Sequence, residues 1–350
     1  MSSTTKETGT ATEFAKRTAT TAAGESVLTP SSDVRPSAPV LAIVVPCLNE
    51  EAVIGETARR LCEVLQKLSG MGKIDAGSFV YLVDDGSRDR TWVVVEELHG
   101  HTGGRVKGLK LARNVGTQNA LLAGLLAVKE HADCVVTIDA DLQQDEAVIE
   151  TFLEKYAGGA HIVYGVRRGR GDSYLKKATS GFFYNLMRLM GARIIKHHSE
   201  YRLVSRKAIE AIAEYREYNL FLRGIFVDIG YKSEIVPFNV RRRGAGRSKH
   251  SFGKLASLAL DGITSFSIVP LRLVTLAGML VFLFSVLMTL FYLYHKLKGH
   301  TPPGWAGTII PIYFLGGVQI MFLGIVGEYI GKIYQETKAR PRYIKDTELF

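Results

Sequence analysis

The sequence holds only three cysteines, Cys47, Cys62 and Cys134, and none stands at a spacing that would pair two ligands on a metal. That excludes a paired-cysteine metal site and fits reduced thiols packed among apolar neighbours in a cytosolic compartment. Glycine is missing from the turn after the first strand-like run, Leu41–Val45, which continues as Pro46-Cys47-Leu48-Asn49-Glu50. A dinucleotide-dependent oxidoreductase needs G-x-G-x-x-G at that place, so this class is excluded. The N-terminal segment 1–39 is rich in Ser, Thr and Ala, and lacks both sustained apolar periodicity and the apolar stretch of a secretory signal. It predicts a disordered tail, and with no cleaved signal the catalytic portion is expected to stay in the cytoplasm.

Forty-four Lys and Arg against 34 Asp and Glu give a formal charge of +10, which calls for an anionic partner: nucleic acid, an acidic membrane surface or a phosphorylated substrate. The apolar residues are unevenly spread. Leu273–Tyr294 contains no charged side chain, and its roughly 22 residues would span about 33 Å as a helix, enough for a hydrocarbon core of about 30 Å. A second uncharged stretch, Pro302–Gly327, has Trp305 near one end and Tyr329 just beyond the other, positions where aromatics favour an interface. Only Lys296 and Lys298 lie between the two, whereas Arg241, Arg242, Arg243, Arg247, Lys249 and Lys254 precede them and Lys332, Lys338, Arg340, Arg342 and Lys345 come after. The positive-inside rule therefore puts both ends of a two-span hairpin, over 269–330, in the cytoplasm, with a cytoplasmic tail at 331–350. In the segment 251–268, Phe252, Leu255, Ala259, Ile263 and Phe266 recur at helical spacing, an amphipathic pattern that suits either a membrane surface or the side of the preceding domain.

Ahead of these runs, β-type segments at Leu41–Val45, Phe79–Val83, Val106–Leu111 and Cys134–Ile138 alternate with helical patterns at about Glu51–Leu68, Thr91–Leu98 and Thr117–Glu130. That alternation predicts a parallel-rich α/β sheet, in which ligands bind beyond the carboxyl ends of the strands. The residues there are chemically suggestive. Asp84-Asp85-Gly86-Ser87 offers two carboxylates that could accept hydrogen bonds from a base or ribose, or could equally cap a turn. Asp139-Ala140-Asp141-Leu142-Gln143 could turn two carboxylates and an amide oxygen toward one hard cation, Mg²⁺ or Mn²⁺, which would neutralise a departing diphosphate.

P-x-x-N-E, D-D-G-S, Arg113-Asn114-x-Gly116 and D-A-D-L-Q come after successive strands, and together they resemble the family 2 glycosyltransferases. With Arg243-Gly244-Ala245-Gly246-Arg247-Ser248-Lys249, an R-x-x-G-x-S-K sequence, the likeness narrows to dolichyl-phosphate mannose synthases and bacterial undecaprenyl-phosphate glycosyltransferases, and covers about residues 40–345. Gly327-Glu328-Tyr329-Ile330-Gly331-Lys332 and Lys338-Ala339-Arg340-Pro341 are similar to the two-span bacterial branch. The resemblance implies a GT-A (Rossmann-like) α/β catalytic domain over 40–250, followed by two transmembrane helices in the bacterial inner membrane. It also implies a homo-oligomer, such as a tetramer, and no nucleic-acid partner.

By the same resemblance, Pro46, Leu48, Glu50, Val83, Asp85 and Ala140 would contact the nucleotide of the sugar donor. Asp139, Asp141 and Gln143 would hold the metal, and Asp141 and Glu200 would be catalytic. Arg167, Lys177, Arg243 and Lys249 would bind the donor and lipid phosphates. Many relatives carry G-D-F-R-L where this chain reads Ser199-Glu200-Tyr201-Arg202-Leu203, so Glu200 is aligned with an aspartate. His197 and His198 just before it are read as structural or interfacial. A lipid phosphate already carries an ionised oxygen and needs no strong general base to attack an anomeric carbon. The implied reaction is therefore inverting transfer of one sugar, from UDP-glucose or UDP-N-acetylglucosamine, to polyprenyl phosphate. A GDP-mannose donor is the alternative. A processive polysaccharide synthase would carry Q-x-x-R-W, and neither Trp92 nor Trp305 stands in that setting.

Overall fold

The computed structural model describes residues 38–141, 143–168, 198–218, 221–240, 269–298 and 304–350. The expected tail as far as residue 37, together with Lys177, His197, Arg243, Lys249 and the amphipathic stretch at 251–268, lies outside the described residues.

The strands are β1 (Leu41–Cys47), β2 (Phe79–Asp84), β3 (Val106–Leu111), β4 (Cys134–Thr137), β5 (Ile162–Arg167), β6 (His198–Ser205), β7 (Ser233–Phe238) and β8 (Lys345–Leu349). They form one sheet in the order β7-β5-β6-β4-β1-β2-β3-β8. β1 pairs in parallel with β2 and β4, and β2 with β3. β6 is antiparallel to both β4 and β5, and β8 is antiparallel to β3. Central parallel strands are covered on both faces, and β1 and β2 show the matching sequence: LAIVVPC and FVYLVD are almost continuously apolar and nearly all buried.

Helices α1 (Ile54–Gly70), α2 (Thr91–His101) and α4 (Val148–Ala157) cover one face, with Ile54, Leu61, Trp92, Val95, Ile149 and Phe152 in the core they share with the sheet. Helices α3 (Thr117–Val128), α5 (Arg206–Ala213) and α6 (Leu222–Asp228) cover the other. α1 is a surface helix by pattern, burying Ile54, Ala58, Leu61, Leu65 and Leu68 at spacings of three and four. α3 is apolar on most sides and lies close on the sheet because Gly124 has no side chain. A Cβ there would come within 2.6 Å of Val44 Cγ1 and 2.8 Å of Val83 Cγ2. α5 starts where the Ser205 hydroxyl accepts the Ala208 N–H at 3.2 Å, an N-cap that turns β6 directly into helix.

Two long helices come next, α7 (Val269–Leu297) and α8 (Trp305–Thr337). Windows of mean hydropathy 2.2 (Leu271–Met288) and 1.5 (Phe314–Thr337) contain no buried residue, and side chains such as Phe282, Leu283, Phe314 and Leu323 are exposed. Length and composition suffice to cross a membrane, and exposed apolar surface of this extent requires a cover. α8 runs on past the uncharged stretch to Thr337, and the C-terminal residues after it rejoin the sheet. Arg342 Nη2 donates to Tyr215 O at 2.6 Å, Ala112 N to Ile344 O at 3.0 Å, and β8 then pairs along β3. The segment 331–350, expected as a cytoplasmic tail, thus contains an edge strand. Tyr81 Oη donates to Glu348 Oε1 at 2.6 Å, and Lys107 Nζ lies 3.7 Å from the Phe350 ring centroid.

Candidate active site

The parallel register of β1, β2 and β4 brings the loops after them to one end of the sheet. The loop after β1 turns through Asn49 at φ 53, left-handed backbone that asparagine tolerates. Asn49 N donates to Ser87 Oγ at 2.9 Å, Arg88 N to Asn49 Oδ1 at 2.9 Å, and Glu50 N to Thr91 Oγ1 at 2.9 Å. The P-x-x-N-E and D-D-G-S segments are therefore one laced unit. Within it Leu48 is exposed, while Pro46 and Glu50 are half-buried.

D-D-G-S does more internal work than its sequence suggests. Asp85 accepts Val115 N at 2.7 Å and Gly116 N at 3.0 Å, so its two oxygens hold the loop between β3 and α3. Asp84 accepts Ser87 N at 3.1 Å through Oδ1, while its buried Oδ2 has no partner among the described residues. Burial raises the carboxyl groups of both, against the hydrogen bonds that lower them. Gly86, at φ +68, passes so close to the R-N-x-G loop that a Cβ would lie 2.6 Å from Arg113 C. Val83 departs from expectation: it is fully buried, packed toward Gly124, and its carbonyl accepts from Cys47 Sγ at 3.4 Å. Its side chain has no open surface for a nucleotide, because the β2 pleat directs it to the α3 face.

After β4, Thr57 Oγ1 of α1 donates to Ala140 O at 2.7 Å and fixes the D-A-D turn from below. Asp139 N donates to Gln144 Oε1 at 3.0 Å, and Gln144 Nε2 donates to Asp139 Oδ2. The glutamine clasped to Asp139 is thus Gln144, not Gln143, whose backbone N–H donates to Asp141 Oδ1 at 3.2 Å. Burial pushes the Asp139 carboxyl up. The Gln144 hydrogen bond pulls it down, the charges of Asp141 and Glu200 push it up again, and Arg167 at the end of β5 draws it down. Asp139, Asp141, Glu200 and Arg167 therefore share one electrostatic neighbourhood.

Glu200, on β6, is nearly enclosed. Its carboxylate accepts from Arg202 Nη2, from Arg223 Nε at 2.7 Å and from Gln118 Nε2 at 3.1 Å. Arg202 is wholly buried, with its guanidinium carbon 4.4 Å from the Phe226 ring centroid. The sequence motifs do not include Thr57, Gln118, Gln144 or Arg223. Gln144 directly follows the metal motif and Gln118 lies just beyond the R-N-x-G loop, but nothing local marks Thr57 or Arg223. Among the described residues no group of three or more His, Cys, Asp or Glu is gathered as a ready cation cage.

Known proteins give this geometry a family. The sequence profile described as Glycosyl transferase family 2 matches residues 42–222, the stretch that runs from β1 to the start of α6. The chain belongs to glycosyl transferase family 2. This glycosyltransferase is 47% identical over 318 residues to the uncharacterized glycosyltransferase YkoT of Bacillus subtilis, covering 91% of this chain and 94% of that one. It is 37% identical over 313 residues to the bactoprenol glucosyl transferase of Shigella phage SfV, covering 88% and 98%. Among solved structures, glucosyl-3-phosphoglycerate synthase from Mycobacterium tuberculosis, with Mn²⁺, UDP and glucosyl-3-phosphoglycerate, matches with a TM-score of 0.41 at 19% identity, over 65% of this chain and 78% of that one.

Proposed function

We propose that this glycosyltransferase passes a single sugar from a nucleotide sugar to the phosphate of a polyprenyl lipid. The observation that carries the reading is the state of Glu200. The carboxylate in the electrostatic field of the D-x-D pair is committed to two arginines and an amide, which is poor provision for a base that must take a proton from a sugar hydroxyl. A phosphate acceptor needs no such base. The relatives named bactoprenol glucosyl transferases support the same acceptor and favour glucose, so UDP-glucose is the first donor to test and UDP-N-acetylglucosamine the second.

Asp139 and Asp141, with Gln143 on the same turn, would hold Mg²⁺ or Mn²⁺. Two carboxylates beside a diphosphate suit a small hard cation that completes its shell with phosphate and water, and an Asp139 carboxyl raised first by burial and then by the charges of Asp141 and Glu200 fits a site completed by positive charge. Such an ion would neutralise charge on the departing nucleoside diphosphate. Pro46, Leu48, Glu50, Asp85 and Ala140 would shape the nucleotide pocket, Asp85 by holding the 115–116 loop. Arg167 would offset phosphate charge, with Lys177, Arg243 and Lys249 as further phosphate ligands. The lipid phosphate oxygen would displace the nucleotide directly, turning an α-linked donor into a β-linked product.

The exposed apolar faces of α7 and α8 would sit in the bacterial inner membrane, with the sheet on the cytoplasmic side. Return of the chain to β8 supports two crossings, since β7, ahead of the helical pair in the sequence, and β8, after it, belong to one sheet. The test is to incubate the purified chain and undecaprenyl phosphate with UDP-glucose, UDP-N-acetylglucosamine and GDP-mannose, reading products by mass spectrometry and anomeric NMR. A β-linked polyprenyl monophosphate sugar is expected. A polymer, a diphosphate linkage or transfer to a hydroxyl would overturn the acceptor.

A further inference from the structure

Two arginines meet Glu200, and they are not equivalent. The Arg202 side chain is 1% exposed and fixed on three sides by Glu200, the Ser199 carbonyl and the ring of Phe226. It already balances the charge of Glu200 and cannot turn outward. The Arg223 side chain is 38% exposed and gives Glu200 only its Nε, at 2.7 Å. Its two terminal nitrogens have no hydrogen-bond or ion-pair partner among the described residues. Gln118 ties the arrangement together: Nε2 donates to Glu200 and Oε1 accepts Leu222 N at 3.0 Å, so the start of α6, which carries Arg223, is bound to the carboxylate that orients it.

A guanidinium clamped at Nε, with both terminal nitrogens unused, presents the forked donor pair that matches two oxygens of a phosphate. Thr137, two residues before Asp139 at the end of β4, donates its hydroxyl to the Glu200 carbonyl and pairs with Arg202 across the sheet, which puts this fork at the strand end that carries the D-x-D turn. We propose that Arg223 is a substrate-binding residue of the transfer site, contacting phosphate oxygens through its terminal nitrogens while Glu200 and Gln118 act as positioning residues. The oxygens belong to the donor's diphosphate or to the lipid phosphate. The proposal rests on the reading of the chain as a phosphate-acceptor transferase, and its test separates the two.

In the full chain in detergent, titrations of UDP with Mn²⁺, of uridine and of undecaprenyl phosphate would be compared for wild type and Arg223→Gln. A loss of about tenfold or more in UDP affinity with uridine unchanged assigns the donor diphosphate; the same loss for undecaprenyl phosphate alone assigns the acceptor. Unchanged affinity for both overturns the proposal, as does wild-type protein that binds neither. If Arg223→Gln does not fold, Arg223→Lys decides, because it keeps the charge beside Glu200 and loses the fork. Weakened binding at an unchanged unfolding temperature supports the proposal, and wild-type binding sinks it. Because these are binding measurements, they read the role of Arg223 even where no sugar transfer is detected.

Discussion

Asp85 accepts the backbone N–H of Gly116 at 3.0 Å, a contact that joins the loop after β2 to the loop after β3. With the second bond from Val115 N, at 2.7 Å, it makes one aspartate the tie between two walls of the proposed nucleotide pocket.

Asp85→Ala leaves two backbone donors without their acceptor. A cost of about 3 kcal/mol is expected, seen as a lower thermal midpoint, together with weaker nucleotide binding as the 115–116 loop relaxes. Asp85→Asn retains an acceptor oxygen and should lose less. An Asp85→Ala protein with wild-type midpoint and affinity would remove this residue from the account.

Gly86→Ala places a methyl group 2.6 Å from Arg113 C at a residue with φ +68. The strained backbone alone costs about 1–3 kcal/mol, and the clash must push the D-D-G-S and R-N-x-G loops apart. Sugar transfer should fall further than stability does. Calorimetry and initial rates on one preparation would check this, and an alanine variant with normal turnover would show that the loops need not touch.

Asp84 gives a pH prediction. Burial raises its carboxyl above the ordinary 3.8, so the folded chain keeps this proton to a higher pH than the unfolded chain does. The contribution of Asp84 to stability therefore declines as pH rises from 3.8 through the raised value. Asp84→Asn cannot ionise, so its thermal midpoint minus that of wild type should grow across that window and then level off. A difference independent of pH would mean the carboxyl is not perturbed.

Chelation should abolish transfer, and Mg²⁺ or Mn²⁺ should restore it. Asp141→Ala should lower the rate about a hundredfold or more while the protein stays folded, since Asp141 is only half-buried at a strand end. Full activity in excess chelator would exclude the metal.

The first half of the sheet was legible because its strands are buried on both faces and read as apolar runs between helical periods. β1 to β4 and α1 to α3 fall where those runs predict. β6 was not legible: HSEYRLVS carries Glu200 and Arg202 into the interior, and a buried ion pair erases the apolar pattern. β8, with the sequence KDTEL, is a polar edge strand whose partner is far away in the chain. At the site, the strand-end carboxylates could be read from their order. Their supports could not, because Gln118, Thr57 and Arg223 act from other elements and are brought together only by the sheet.

The pairing of β8 with β3 also sets an order of events. Tyr81 and Glu348 are hydrogen-bonded yet 267 residues apart along the chain. During synthesis the outer edge of β3 has no strand beside it until both long apolar helices have been made. Such an edge is a template for pairing with other chains while it stays open, and a contact this distant in sequence closes slowly. Completion of the sheet is therefore a late step in the birth of the protein, and the polar, lysine-bearing strand that performs it also seals the domain against its neighbours.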